Sequence, residues 1–269
     1  MLLVNGCSFT YGEELPGWKT GDHFPQTWGG QLGKRLNTEV VNLSMGGASN
    51  DRIFRTTMEY LHNPVKGLPT HMVIMWSDMF RREVAVENIS HEDRHIMHDT
   101  GYVSPNQEIF VNPHGTQDVQ QRIQWEWEHR PKFRRNLDLL FPPQHVLMQQ
   151  LVFMQTIEML CEAKGIRLIQ DIFHDVARRV ILRTFEMSEE SGGYKKWLPY
   201  TKGILNRLKY PSRWWIDEEN WQYNLRQMAL AGSGVYQGRH PKADTYEKYA
   251  EILFSKFKEF YDDTKQATP

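Results

Sequence analysis

The chain has 269 residues, of which 40% are hydrophobic and 24% charged, and its formal net charge is -1. That length suits one large α/β domain or two small ones, and we read 1–269 as a single domain. The balanced charge leaves no electrostatic footprint for nucleic acid or an anionic membrane, and no apolar run approaches the roughly 20 residues that span a bilayer.

In chain order, four short apolar runs read as buried strands: residues 2–5, 39–43, 72–76 and 167–172. Segments with helical spacing separate them. Residues 27–36 place Trp28, Leu32 and Leu36 on one face, and residues 49–61 do the same with Ile53, Thr57 and Tyr60. Residues 145–163 carry Leu147, Leu151, Met154, Ile157 and Leu160, and a last helix near 244–261 packs through Tyr246, Tyr249, Leu253 and Phe257. Strand alternating with helix predicts an α/β fold, a three-layer α/β/α sandwich around a mostly parallel, flavodoxin-like sheet. Two stretches exceed a minimal unit, at about 81–143 and 176–234. Both follow strand ends, where an open parallel sheet frames its ligand crevice, so we expect them to shape or cover that crevice. The plainer expectation is that they thicken the fold or form an oligomer contact.

The strand at residue 2 directly follows Met1, which leaves no room for a signal peptide and sets the expectation of a cytoplasmic protein. The only cysteines, Cys7 and Cys161, lie far apart, so no disulfide framework is indicated.

Four segments at strand ends carry candidate chemistry. Gly6-Cys7-Ser8-Phe9-Thr10-Tyr11-Gly12 follows the first strand. A serine there can meet converging backbone N–H groups, which exposes a nucleophile and supplies an oxyanion donor. Asn42 to Asp51 follows the second strand, with Gly47 able to point its N–H into the same crevice and Ser49 or Asn50 able to cap the next helix. Met75-Trp76-Ser77-Asp78 follows the third. Gly238-Arg239-His240-Pro241 precedes the last helix, from which His240 could reach Ser8.

In this order the four blocks resemble the SGNH (GDSL-type) hydrolases. The first family block, GDSxTxG, falls on Gly6 to Gly12 with Cys7 where Asp is usual. The second falls on Asn42 and Gly47, the third on Met75 to Asp78 with Ser77 where Asn is usual, and the last on His240-Pro241. The variant also resembles SGNH-like proteins of bacteriophages, which would place the protein in a host cytoplasm or a virion. The resemblance implies a serine esterase with Ser8 as nucleophile and His240 as its base. Ser8 and Gly47 would be backbone oxyanion donors, with Ser77 or Asn50 as the side-chain donor. We also place Arg81, Cys7 and Asp78 at the substrate site; Arg81 or Arg82, just past the third strand, could bind an anionic substrate group, with a surface ion pair to Glu83 as the plainer reading. The resemblance implies a small-molecule or carbohydrate ester as substrate, with an O-acetyl group favoured, and no cofactor.

The family places an Asp two or three residues before the His, where this chain has Gln237 and Gly238. A neutral residue in place of the triad acid cost about 10⁴-fold in the serine-protease example. Three readings follow: Asp171 or Asp175 supplies the carboxylate, the protein runs on a Ser–His dyad, or it is a non-catalytic binding module.

His91-Glu92-Asp93-Arg94-His95 matches HExxH, but its surroundings lack helical apolar spacing, so we expect an exposed loop and no metal. Trp125 to Arg135 interleaves bases and aromatics, but Glu126, Glu128 and Asp138 dilute the charge, and we expect no nucleic-acid partner. Trp214 and Trp215 fit either sugar stacking or burial.

Overall fold

A computed structural model describes residues 1–77, 84–86, 102–103, 109–111, 143–172, 178, 198–231, 235 and 240–262. Four strands, β1 (Leu2–Gly6), β2 (Val40–Asn42), β3 (His71–Trp76) and β7 (Arg167–Ile172), form an all-parallel sheet in the order β2-β1-β3-β7. This is the 2-1-3-4 order of flavodoxin-like folds, whose ligands sit outside the carboxyl ends of the strands beside the switch between β1 and β3. Three shorter strands, β4 (Val84–Val86), β5 (Tyr102–Val103) and β6 (Ile109–Val111), pair antiparallel in a second sheet of order β4-β6-β5.

Helices cover both faces of the parallel sheet. The short α1 (Ser8–Tyr11) follows β1 directly, and on one face lie α3 (Asn50–His62) and α4 (Pro143–Ala163), joined by stacked Phe54 and Phe153 rings 4.2 Å apart. On the other lie α2 (Trp28–Arg35) and α9 (Ala243–Phe257), joined edge-to-face by Trp28 and Tyr249 at 5.8 Å. The α/β sandwich expected from the alternating runs is present, and β7 has the expected bounds. Capping sets the helix starts. Thr27 Oγ1 accepts from Gly30 N and Ser49 Oγ from Arg52 N, so each polar residue ends the preceding loop and satisfies a first-turn N–H.

Polar residues inside the sheet tie it to its helices. Asn5 Nδ2 donates to Ile53 O at 3.0 Å and to Thr56 and Thr57 Oγ1, both at 2.9 Å, which holds α3 against β1. Gln170 Oε1 accepts from Trp76 Nε1, while its Nε2 donates to Met154 O and Ser212 Oγ. Residues 198–231 add four short helices: α5 (Leu198–Arg207), α6 (Tyr210–Arg213), α7 (Glu218–Trp221) and α8 (Leu225–Ala231). Trp214 and Trp215 follow α6 and are fully buried, with Nε1 donating to Gln170 O and Ser212 O respectively. They cover the β7 edge, which settles their two readings in favour of packing over sugar stacking. Cys7 and Cys161 are both free and buried. No helix among the described residues is long and apolar enough to cross a membrane.

Candidate active site

The first block bends tightly. A Cβ on Gly6 would fall 2.1 Å from Thr10 Oγ1 and 2.9 Å from Met75 O, so only glycine lets the chain turn off β1 here. Cys7 then caps α1, its carbonyl accepting from Thr10 N and Tyr11 N at 2.9 Å each. Cys7 is fully buried, so its thiol is not exposed to a substrate, contrary to the expectation from sequence. Ser8 opens the helix and is 5% exposed. Neither its N–H nor its Oγ has a hydrogen-bond partner among the described residues. First-turn N–H groups have no intrahelical acceptor, and they carry partial positive charge, so this one is available to an anion.

The helix ends at Gly12 in the left-handed region, with Gly12 N and Glu13 N both donating to Ser8 O at 2.8 and 3.1 Å. The next residues supply the carboxylates. Glu14 has φ of 70°, a left-handed conformation that costs a non-glycine residue about 1 kcal/mol or more. Its Oε2 lies 2.8 Å from His240 Nδ1 and 3.4 Å from His240 N. Glu13 Oε2 lies 3.6 Å from His240 Nε2. The imidazole is thus bracketed by two carboxylates, and its face packs on Phe9 with centroids 5.1 Å apart. Since Phe9 is Ser8's neighbour in the chain, His240 and Ser8 share the carboxyl rim of the sheet. No hydrogen bond joins them.

The acid beside His240 is therefore Glu14, not Asp171. Asp171 lies at the end of β7, fully buried, accepting from Tyr249 Oη and from Ile172 N. Burial pushes its carboxyl up to about 6, with the Tyr249 hydrogen bond partly opposing. It anchors α9, the helix that follows His240. Sequence reasoning passed over Glu14 because it looked where the family keeps its acid. The available signal was a pair of carboxylates directly after the Gly12 turn.

The second and third blocks also converge. Met45 N donates to Gly6 O at 3.2 Å, which seats the 43–49 loop beside the Ser8 turn. Gly47 there has φ of 71°. Ser49, not Asn50, caps α3, and Asn50 turns instead toward β3. Its Oδ1 accepts from Ser77 N at 2.7 Å and its Nδ2 donates to Ser77 O at 3.3 Å. Ser77 Oγ is buried and without a partner among the described residues. Asp78, Arg81, Arg82, Glu83, Asp175, His91 and His95 lie outside the described residues.

Chemically, the rim offers a hydroxyl and a first-turn N–H at a helix start, and an imidazole oriented by a carboxylate. A family model described as a family of unknown function, DUF6071, matches residues 13–137, a span that takes in Glu13, Glu14, Gly47, Asn50 and Ser77. No curated protein matches the chain. Among solved structures, the chain is similar to a carbohydrate esterase family 2 enzyme with a carbohydrate-binding domain from Corynascus thermopiles (Myceliophthora fergusii). That match has 13% identity, covers 96% of this chain and 65% of the other, and has a TM-score of 0.44. It is also similar to a protein from Desulfitobacterium hafniense DCB-2 assigned to the G-D-S-L lipolytic family, at 12% identity, 94% and 97% coverage and a TM-score of 0.39. A third similarity is to the acetyl xylan esterase Est2A of the rumen bacterium Butyrivibrio proteoclasticus, at 8% identity, 96% and 63% coverage and a TM-score of 0.38. The chain spans less than two thirds of the length of the first and third of these proteins.

Proposed function

We propose that this protein is a serine acyl hydrolase acting through an acyl-enzyme on Ser8. The observation that carries the reading is the 2.8 Å contact between His240 Nδ1 and Glu14 Oε2, on the same rim as Ser8. A carboxylate on Nδ1 selects the tautomer with the proton there, which leaves the Nε2 lone pair to act as base. In this scheme Nε2 takes the Ser8 Oγ proton as Oγ bonds to the acyl carbon. The carbonyl oxygen becomes an oxyanion held by the Ser8 and Gly47 N–H groups, with Asn50 and Ser77 as the candidate side-chain donors. Collapse breaks the ester C–O bond, and His240 returns the proton to the leaving alcohol. Water then repeats the sequence to free the acid and restore Ser8.

The substrate class rests on the resemblance in the four sequence blocks: an O-acyl group, acetyl above all, on a carbohydrate or small ester. The missing Ser8–His240 hydrogen bond is compatible with a resting site, since such bonds often tighten only around substrate. The same observation favours a second reading, a non-catalytic module of this fold that binds a glycan or protein. Labelling with a fluorophosphonate probe separates them. A Ser8-dependent adduct, lost in Ser8→Ala, supports the hydrolase, and no adduct in the folded wild type favours the module.

A further inference from the structure

Gln150 carries a donor that the fold does not use. The residue is 4% exposed, and its Nε2 is buried without a hydrogen-bond partner among the described residues. An unmatched buried donor destabilises a fold, so one that persists calls for a reason. Its place in the fold supplies one. Helices α3 and α4 lead into the amino ends of the parallel strands β3 and β7, so both begin at the carboxyl rim of the sheet. The stacked Phe54 and Phe153 rings, with Trp76 6.5 Å from Phe153, set the register of the three elements. Nearer the rim, Asn50 precedes Phe54 by four residues, Gln150 precedes Phe153 by three, and Ser77 follows Trp76. These steps are rises of about 4.5 to 6 Å on the helices and about 3.3 Å on the strand, so Gln150 stands near the level of Asn50 and Ser77. Val146, Gln150, Phe153 and Ile157 form one stripe of α4, and helical side chains lean toward the helix N-terminus, which here is the rim.

We infer that Gln150 is a specificity-determining residue whose amide binds a second acceptor oxygen of the substrate, apart from the reacting carbonyl. The inference rests on the hydrolase reading. In that reading the carbonyl is served by Ser8 and Gly47, which follow β1 and β2. The sheet order β2-β1-β3-β7 puts Gln150 on the other side, on the helix that leads into β7. Neighbouring strands lie about 4.8 Å apart, so one or two strand spacings separate its amide from Ser8 along the rim, a span of a few bonds in a substrate. Ser8 is itself 5% exposed and Ser77 1%, so Gln150 is covered no more deeply than they are. The Ser77 hydroxyl, buried at the end of β3 and also without a partner among the described residues, can turn its proton toward the same oxygen. The group complementary to an amide N–H and a hydroxyl is an ether, hydroxyl or carbonyl oxygen, not a cation or an alkyl chain. Such an oxygen can belong to the acyl chain or to the alcohol of the ester.

The test compares the wild type with Gln150→Met, which keeps the volume and removes the amide; Gln150→Leu takes its place if that variant does not fold. Esters are used in pairs that differ by one oxygen against one CH2. Ethyl methoxyacetate and ethyl butyrate probe an oxygen in the acyl chain, and 2-methoxyethyl acetate and butyl acetate probe one on the alcohol. The ratio of kcat/KM for the oxygen-bearing ester over its partner should fall about tenfold in Gln150→Met for one pair, the scale of one hydrogen bond. Comparing the ratio between the two proteins cancels the intrinsic reactivities of the esters, and the pair that responds says which side carries the oxygen. The melting temperature should hold or rise, because the substitution removes an unmatched buried donor. Ratios unmoved in both pairs overturn the inference, and a lowered melting temperature with them assigns Gln150 to packing. An equal loss on all four esters puts the amide on the reacting carbonyl and overturns it too. A wild type that gives no Ser8-dependent fluorophosphonate labelling sinks the hydrolase reading, and this inference with it, whereas a wild type that labels with ratios unmoved sinks this inference alone.

Discussion

His240 Nδ1 lies 2.8 Å from Glu14 Oε2 across a separation of 226 residues, and Glu14 holds that contact from a left-handed backbone conformation. A strained non-glycine residue persists only where its surroundings over-determine it, and such sites concentrate where function needs them. Here the surroundings are the two N–H bonds to Ser8 O that wrap the chain round the end of α1.

If Glu14 orients His240, Glu14→Gln should lower kcat with little change in KM, by between about 10² and 10⁴-fold. Glutamine keeps an acceptor but neither the charge that balances the imidazolium nor a fixed preference for its tautomer. The activity of Asp171→Asn, by contrast, should stay within a few-fold of wild type, because that carboxylate is bonded to Tyr249 and Ile172. Steady-state kinetics on one acetyl ester checks both. Unchanged kcat in Glu14→Gln would leave the dyad as the working mechanism.

Asp171 should instead govern a pH dependence of stability. Its carboxyl is raised from 3.8 to about 6 by burial, so the folded protein holds this proton more tightly than the unfolded chain does. The stabilisation from the neutral form is therefore fully present below about pH 4 and is lost as pH rises through about 6, with a total near 3 kcal/mol. Asp171→Asn cannot ionise. Whatever offset the amide brings at low pH, urea unfolding at pH 4.5, 6 and 8 should show the variant gaining on the wild type across that window. Parallel curves would show that Asp171 does not titrate there.

Asn50→Ala should cost more activity than Ser77→Ala. Asn50 grips the Ser77 backbone by both amide atoms, whereas the Ser77 hydroxyl has no partner among the described residues. Removing Asn50 leaves a buried backbone N–H and C=O unmatched, at about 1–3 kcal/mol in stability. If its amide also serves the oxyanion, kcat should fall by up to about 10²-fold. Melting temperature and kcat measured together divide these effects. A thermally weakened Asn50→Ala protein with full turnover per folded molecule would remove Asn50 from the oxyanion site.

Zinc should play no part in turnover, because the HExxH segment at His91 and His95 lacks the apolar spacing of a helix. Activity should survive dialysis against a chelator. Loss on chelation with recovery on adding zinc would reinstate that motif.

Much of the frame was legible in the sequence because it is written in local periodicity. Apolar runs mark the four parallel strands, and 3.6-residue spacing marks α2, α3, α4 and α9. Thr27 and Ser49 mark helix starts through side chains that reach only three residues ahead. The placing of Ser8 at the end of β1 and of His240 just before the last helix followed from the same local reading. What only tertiary structure decided depends on which chain ends meet. Nothing near His240 in the chain announces Glu14 or Glu13, which arrive because the parallel sheet brings the exit of β1 and the entry of α9 to one rim. Asn50 could be read as a helix cap until folding set Ser77 beside it, and Ser49 took the cap. Asp171 looked available for catalysis until Tyr249 and burial claimed it, and Trp214 and Trp215 looked available for sugars until they closed over β7. Each of these is a contest between partners for one polar or aromatic group, and the winner is fixed by distances that sequence spacing does not encode.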